Sequence, residues 1–209
     1  MEKLVKFGED VEGYGIAVLN EREIRAAAGI MFLALSGAMV VILVNGDFLL
    51  TKYVITFFLI DFNLRVFLNP KFSPSLIMGR LIVRNQVPEY VGARQKKFAW
   101  IIGVVLSAIM FIFIVVENTT NPVTDIGCLL CLVFLFFETA FGICVGCKVY
   151  SLFYKGKSQY CPGEVCDTRS IQEIQKISGL QVLILIGFIV FVVLAVFLFN
   201  DYFSKNPYH

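Results

Sequence analysis

"GLQVLILIGFIVFVVLAVFLFN", residues 179–200, carries no ionisable side chain. A helix rises 1.5 Å per residue, so roughly 20 mainly apolar residues cross the ~30 Å hydrocarbon layer of a bilayer. This stretch is the most uniformly apolar in the chain and reads as a membrane helix. Working back toward the N-terminus, four more segments meet the same test: about 127–150, 98–116, 48–68 and 25–45. The 25–45 segment follows "NEREI", in which Asn20 is placed to cap a helix. The whole chain is 58% hydrophobic with a mean hydropathy of +0.79. Soluble domains hold nearer half, about 45–50% apolar residues, and here the excess lies in blocks. The expected fold is therefore an all-α polytopic membrane bundle of five transmembrane helices.

The basic residues orient it. Lys3, Lys6, Arg22 and Arg25 precede the first helix, and Arg65 ends the second. Lys71, Arg80, Arg84, Arg94, Lys96 and Lys97 follow in the next connection. Lys148, Lys155, Lys157, Arg169 and Lys176 follow the fourth helix. The other side holds Lys52 and Lys205, so the split is 16 against 2 of the 18 Lys and Arg. By the positive-inside rule the N-terminus is expected inside and the C-terminus outside. The expected organisation is a cytoplasmic N-terminal arm (1–24), a four-helix membrane core (25–152) with a cytoplasmic segment at 70–97, a cytoplasmic cysteine loop (153–178), and a fifth helix with an outer tail (179–209). Within 70–97, "FSPSLIMGRLIVRN" offers Ser73 as a cap and Pro74 as a first helical residue. Two readings stand for it: an amphipathic helix on the membrane interface, or a buried packing element.

The first 20 residues lack the continuous apolar core of a cleavable signal, so the first apolar segment is expected to be a retained helix. A formal charge of +2 suggests no nucleic-acid partner, and the lone His, at position 209, argues against histidine catalysis or a His-rich metal site. Nucleotide-binding loops, nucleophile–base triads and haem-type His ligands have no support either. The expected setting is a multi-pass protein of a bacterial inner (plasma) membrane, with the lipid bilayer as its first partner and a homodimer compatible with so small a bundle.

Six cysteines form three close pairs. Cys128 and Cys131, in "CLLC", fall at the outer end of the fourth segment. Cys144 and Cys147, in "CVGC", fall near its inner end. Cys161 and Cys166, in "YCPGEVCD", fall in the following loop, where Pro162 and Gly163 imply a turn. Thiols three apart share a helix face. Packing explains Cys128 and Cys131 most simply, because Cys behaves as a small apolar residue. It explains Cys144 and Cys147 less well, with Gly142 and Gly146 beside them allowing close approach. Two thiols in a polar loop serve no packing need, and in the cytoplasm they stay reduced unless they cycle. Cys128 and Cys144 stand about 24 Å apart along a helix, too far for direct exchange. Cys144/Cys147 and Cys161/Cys166 are close enough in sequence for exchange.

Asp61, Arg65 and Glu138 lie within the apolar segments, and such residues mark a paired or functional site. Asp61 and Arg65 are four apart and can pair on one face. Arg65 and Cys144 each fall about 17 residues below the start of a descending helix, hence at similar depth. A guanidinium near Cys144 or Cys147 favours the thiolate. Glu138 falls near mid-membrane, where a proton relay or an ion pair with Arg65 suits it.

At these residues the chain resembles a bacterial integral membrane family, domain of unknown function 4395. The resemblance rests on "REIRAAAG", "DFNLRVFLNPKFSP", "KKFAWIIG" and "FETAFGICVGCKVY", over about residues 20–152. It implies a membrane protein with motif positions Asp61, Arg65, Pro70, Pro74, Glu138, Gly142, Cys144, Gly146 and Cys147, and no stated activity.

Three function classes follow. The first is thiol redox or sulfur relay through Cys144, Cys147, Cys161 and Cys166, that is, a thiol–disulfide oxidoreductase with a cytoplasmic thioredoxin-like or sulfurtransferase partner. The second is a transporter or channel for a soft metal ion or a small sulfur species, with Cys144 and Cys147 as ligands. The third is a structural membrane protein whose cysteines pack. The sequence requires no cofactor, and a quinone or a soft metal fits the first two classes.

Overall fold

The computed structural model describes residues 7–11, 14–144 and 177–205. Nearly all of the regular structure is helical. Strand β1 (Val18–Asn20) runs straight into α1 (Glu21–Asn45). The Asn20 side chain accepts from Arg22 N at 3.2 Å, and Glu21 and Glu23 place carboxylates in the first turn, where the helix dipole is positive. The helix ends at Gly46, whose φ of 66° suits a residue without Cβ. It begins four residues before the expected 25.

α2 (Leu49–Asn63) passes into a π-helical turn, Leu64–Leu68, so the expected 48–68 segment is one helical run with a widened end. A short 3-10 turn, Pro70–Phe72, leads to α3 (Pro74–Val83), capped as expected by Ser73, whose Oγ accepts from Leu76 N. α3 is a buried packing element on one face. A Cβ on Gly79 would lie 2.5 Å from Glu23 O, so glycine is what lets the α1 and α3 backbones meet. Its other face carries Leu81 and Ile82 outward, the amphipathic pattern read in the sequence.

Strand β2 (Tyr90–Gly92) pairs antiparallel with β1, Val18 opposite Gly92 and Asn20 opposite Tyr90. The N-terminal arm is thereby tied to the 70–97 segment, a junction the hydropathy pattern gave no sign of. α4 (Ala93–Met110) continues through a second π turn, Phe111–Val116. α5 spans Pro122–Phe141, with an Asn121/Thr124 capping box and Pro122 at the first position. α6 spans Gly179–Phe203, capped by Ser178 and Gln181.

Successive long helices reverse direction. At the end where α1 begins, here the near end, Lys96 of α4 meets Glu21 of α1 and Glu138 of α5, and Gln181 of α6 donates to Lys71 O at 3.2 Å. At the far end Lys52 of α2 donates to Asn118 Oδ1 at 2.6 Å and to the carbonyls of Phe203 and Lys205 at 3.2 and 2.5 Å. The core lies between α1, α2, α4 and α5, around Met31, Leu35, Phe58 and Trp100. α6 stands outside it. Of its side chains only Gln181 and Phe203, near its two ends, are buried.

Among the described residues, four helices are long and apolar enough to cross a membrane: α1, α4 with its π turn, α5 and α6.

Candidate functional site

Asp61 and Arg65 pair as the i, i+4 spacing predicts, Nη2 to Oδ2 at 2.7 Å and Nε to Oδ2 at 2.8 Å. The pair is fully enclosed, and Ser73 and Ser75, at the start of α3, supply most of its remaining hydrogen bonds. Ser73 Oγ and Ser75 Oγ each donate to Asp61 at 2.7 Å, and Ser75 N donates at 3.1 Å. The guanidinium lies over Phe62 and Trp100, at 5.0 and 5.2 Å from the ring centroids, and reaches Met31 Sδ at 3.3 Å. A buried ion pair persists when both partners have further hydrogen bonds. Here "SPS" provides them, which gives Ser73 a second task besides capping α3.

Glu138 meets Lys96 rather than Arg65. Lys96 also lies 2.8 Å from Glu21 Oε2 and 3.1 Å from Glu21 Oε1, so one ammonium joins α1, α4 and α5. Glu138 stands one turn from the C-terminal end of α5, at the near end of the bundle. Lys96 and Glu21 were missed as site residues. The signal for Lys96 was present: Ala93, Lys96, Trp100, Ser107 and Met110 are the buried residues of α4 and follow one helical face, which Lys97 does not share.

The fourth segment was expected to run through residue 150. α5 instead stops at Phe141. Gly142 takes the left-handed conformation, φ 63°, and donates to Glu138 O at 3.1 Å, while Ile143 N donates to Phe137 O at 3.0 Å. The Arg25 guanidinium lies directly against Gly142, where a Cβ would overlap it. A cation at this point faces the negative end of the α5 dipole. Cys144 therefore follows the helix instead of lying in it. Cys147, Cys161 and Cys166 lie outside the described residues.

The first thiol pair divides. Cys128 is buried among Ile55, Met110 and Ile114, a packing role. Cys131 turns instead to a cavity of about 110 Å³ between α1, α2, α4 and α5. That cavity also presents Arg65, Lys96, Glu138 and Cys144. Phe58, Phe62, Trp100 and Phe134 form much of its remaining wall. Two thiols, two cations and one carboxylate thus border one largely apolar space. Among the described residues no group of three or more His, Cys, Asp or Glu side chains gathers as a metal site.

The class this defines is a helical protein of the membrane-spanning kind, with a thiol-bordered cavity among four helices. The family model described as Domain of unknown function (DUF4395) matches residues 19–155, well over half of the chain, and the chain belongs to that family. The match covers α1 to α5 and the thiol motif, and ends before α6. No curated protein and no solved structure matches it.

Proposed function

We propose that the chain is a five-span protein of a bacterial plasma membrane, N-terminus inside and C-terminus outside, that performs thiol redox or sulfur-relay chemistry at the inner face. The 16-to-2 split of basic residues and the helical run Leu49–Leu68 support the topology. One observation carries the chemistry: Cys144 borders a cavity that also presents Lys96, Arg65 and Glu138. Cations beside a thiol favour the thiolate, the nucleophilic form, and a carboxylate on the same wall can take the proton. In this reading Cys144 and Cys147 cycle between dithiol and disulfide, or carry a persulfide. Cys161 and Cys166 exchange with them and with a cytoplasmic thioredoxin-like or sulfurtransferase protein.

Acid-quenched thiol trapping in cells tests this. The expected result is a disulfide, persulfide or mixed disulfide that disappears in Cys144→Ser. If all four thiols stay reduced and unmodified under every growth condition, the reading fails. Passage of a soft metal ion draws support from Cys131 and Cys144 bordering the same cavity. It predicts metal bound under reducing conditions by the purified protein and lost in Cys144→Ser.

A further inference from the structure

Apart from the thiol-bordered cavity, the described residues enclose a larger space. It lies under α6, against α2 and the π turn Phe111–Val116, and measures about 780 Å³. No charged side chain lines it. Three lining residues carry a hydroxyl, and each gives its proton to a main-chain carbonyl: Thr56 to Lys52 O at 2.7 Å, Tyr202 to Val115 O at 3.1 Å, Tyr53 to Val196 O at 3.5 Å. A polar ligand therefore finds no free donor here. The rest of the wall is aliphatic and aromatic, with Phe57, Phe111, Phe191 and Phe199 prominent.

This groove cannot close by collapse. α6 is tied at the near end by Gln181 to Lys71 O, and at the far end by Tyr202 to the π turn and by Lys52 to Phe203 O. Left unfilled, its wall atoms would lack partners on one side, and between apolar surfaces in a bilayer van der Waals contact is the main attraction. Size decides what fills it. The groove follows α6 from Phe188 to Phe203, about 22 Å at 1.5 Å per residue. A helix about 10 Å across would displace roughly 1,800 Å³ over that length, more than twice the space present, so a helix of a second copy does not fit. The rest of this chain does not suit it either. Residues 145–176 join Cys144 and Ile177, both at the near end, and hold Lys148, Lys155, Lys157, Arg169 and Lys176, while 206–209 is the short polar "NPYH". A methylene takes up about the volume of a water, ~30 Å³, so one acyl chain of about 16–18 carbons needs roughly 500 Å³ and two need about 1,000 Å³. One chain fits and two do not. One leaflet of the ~30 Å hydrocarbon layer is about 15 Å deep, so the groove is long enough for the whole chain.

We propose that this groove holds one fatty-acyl chain of a membrane phospholipid, laid along α6 between Phe188 and Phe203, with the second chain of the same lipid left in the bilayer. The site rests on the membrane placement proposed for α6 and not on the thiol chemistry.

Native mass spectrometry of the full chain, moved from nanodiscs of palmitoyl-oleoyl phosphatidylethanolamine into a non-ionic detergent, tests it. The expected result is one retained phospholipid per chain. Ala195 is a half-buried lining residue. Filling the groove with Ala195→Phe, or with the smaller Ala195→Leu, should weaken retention, for the larger variant at least about tenfold. Leu198→Phe, on a residue 68% exposed and outside the groove, should leave it unchanged. Palmitoyl lysophosphatidylethanolamine, which has one chain, should displace the bound lipid as well as the two-chain lipid does, and its octanoyl analogue at least about tenfold less well. A broad spread of lipid numbers with no preference for one, a retained lipid that neither Ala195 variant weakens, or a lysolipid that does not compete overturns the proposal. So does a pair of chains that Ala195→Phe separates, which would make a second copy the occupant. Carbonate washing of membranes reads the placement of α6 separately. A chain that stays in washed membranes but retains no lipid loses the groove alone, and a chain released by washing loses both.

Discussion

Lys52 and Lys96 are each 1% exposed, one at either end of the same bundle, and they are held in opposite ways. Lys52 meets neutral acceptors, the Asn118 amide and two main-chain carbonyls after α6 has nearly run out. All three ammonium protons are used, and the residue fastens α2, the 117–121 turn and the end of α6 together. Lys96 meets two carboxylates, Glu21 and Glu138, and sits on the wall of the cavity. The lesson concerns what each end loses if its cation goes. At the far end three carbonyl-type oxygens lose a donor. At the near end Glu21 and Glu138 lose their shared cation, and Glu21 is left with Arg25 Nε at 3.5 Å.

The largest expected effect follows directly. Lys96→Met should destabilise the protein by about 3–5 kcal/mol, the range for breaking a buried ion pair by removing one partner. Adding Glu21→Gln and Glu138→Gln to that variant should recover much of the loss in a thermal melt of the purified protein. No recovery would mean that Lys96 acts through packing and not charge. Lys52→Met should cost less, about 1–3 kcal/mol, the penalty for leaving buried acceptors without a donor. A melt in which Lys52→Met is as damaging as Lys96→Met would break the comparison. Gly142→Ala forces a Cβ into the left-handed region, about 1–2 kcal/mol, and also displaces Arg25. It should lower the melting temperature and change the alkylation rate of Cys144, whereas Gly46→Ala, with open space around it, should lower stability alone. Smallest is Ser178→Ala, about 1 kcal/mol for a lost N-cap. It should loosen α6, read as faster hydrogen exchange in its first turn, with the cavity side unaffected.

The helices were legible because apolar length is a coarse signal that survives local detail. Asn20, Ser73 and Pro74 also announced their positions, since caps and first-turn prolines act through their immediate neighbours. The Asp61–Arg65 pair could be read because four residues is a helical distance. What escaped depends on contacts between distant segments. Gly142 was read as a small residue permitting approach, and it is that for Arg25, but it is also a stop. Nothing in "FGIC" separates an apolar helix from an apolar chain that has left one, and the deciding cation comes from α1. Lys96 looked like one of several loop charges until its period matched the buried face of α4. The β1–β2 ladder has three residues per strand, too few for alternation to register. Cys128 and Cys131 looked equivalent because their spacing puts them on one side of α5. That side is broad enough to touch both a packed layer and a cavity.

α6 is buried at Gln181 and Phe203 and hardly anywhere between them. Beneath its middle, against α2 and the π turn after α4, lies an almost wholly apolar groove of about 780 Å³. Mechanically this is a beam pinned at both supports and only lightly touched between them, by Phe57 against Phe188 at 5.3 Å and by Tyr53 Oη donating to Val196 O at 3.5 Å. Helices usually absorb a change in bilayer thickness by tilting, at a fraction of a kcal/mol per Å. A beam held at both ends cannot tilt without dragging its supports, so the strain arrives at the Gln181–Lys71 hydrogen bond and at Lys52. With α6 spanning the bilayer as proposed, the thickness of the surrounding lipid should be felt at the two ends of the bundle through the helix that touches it least.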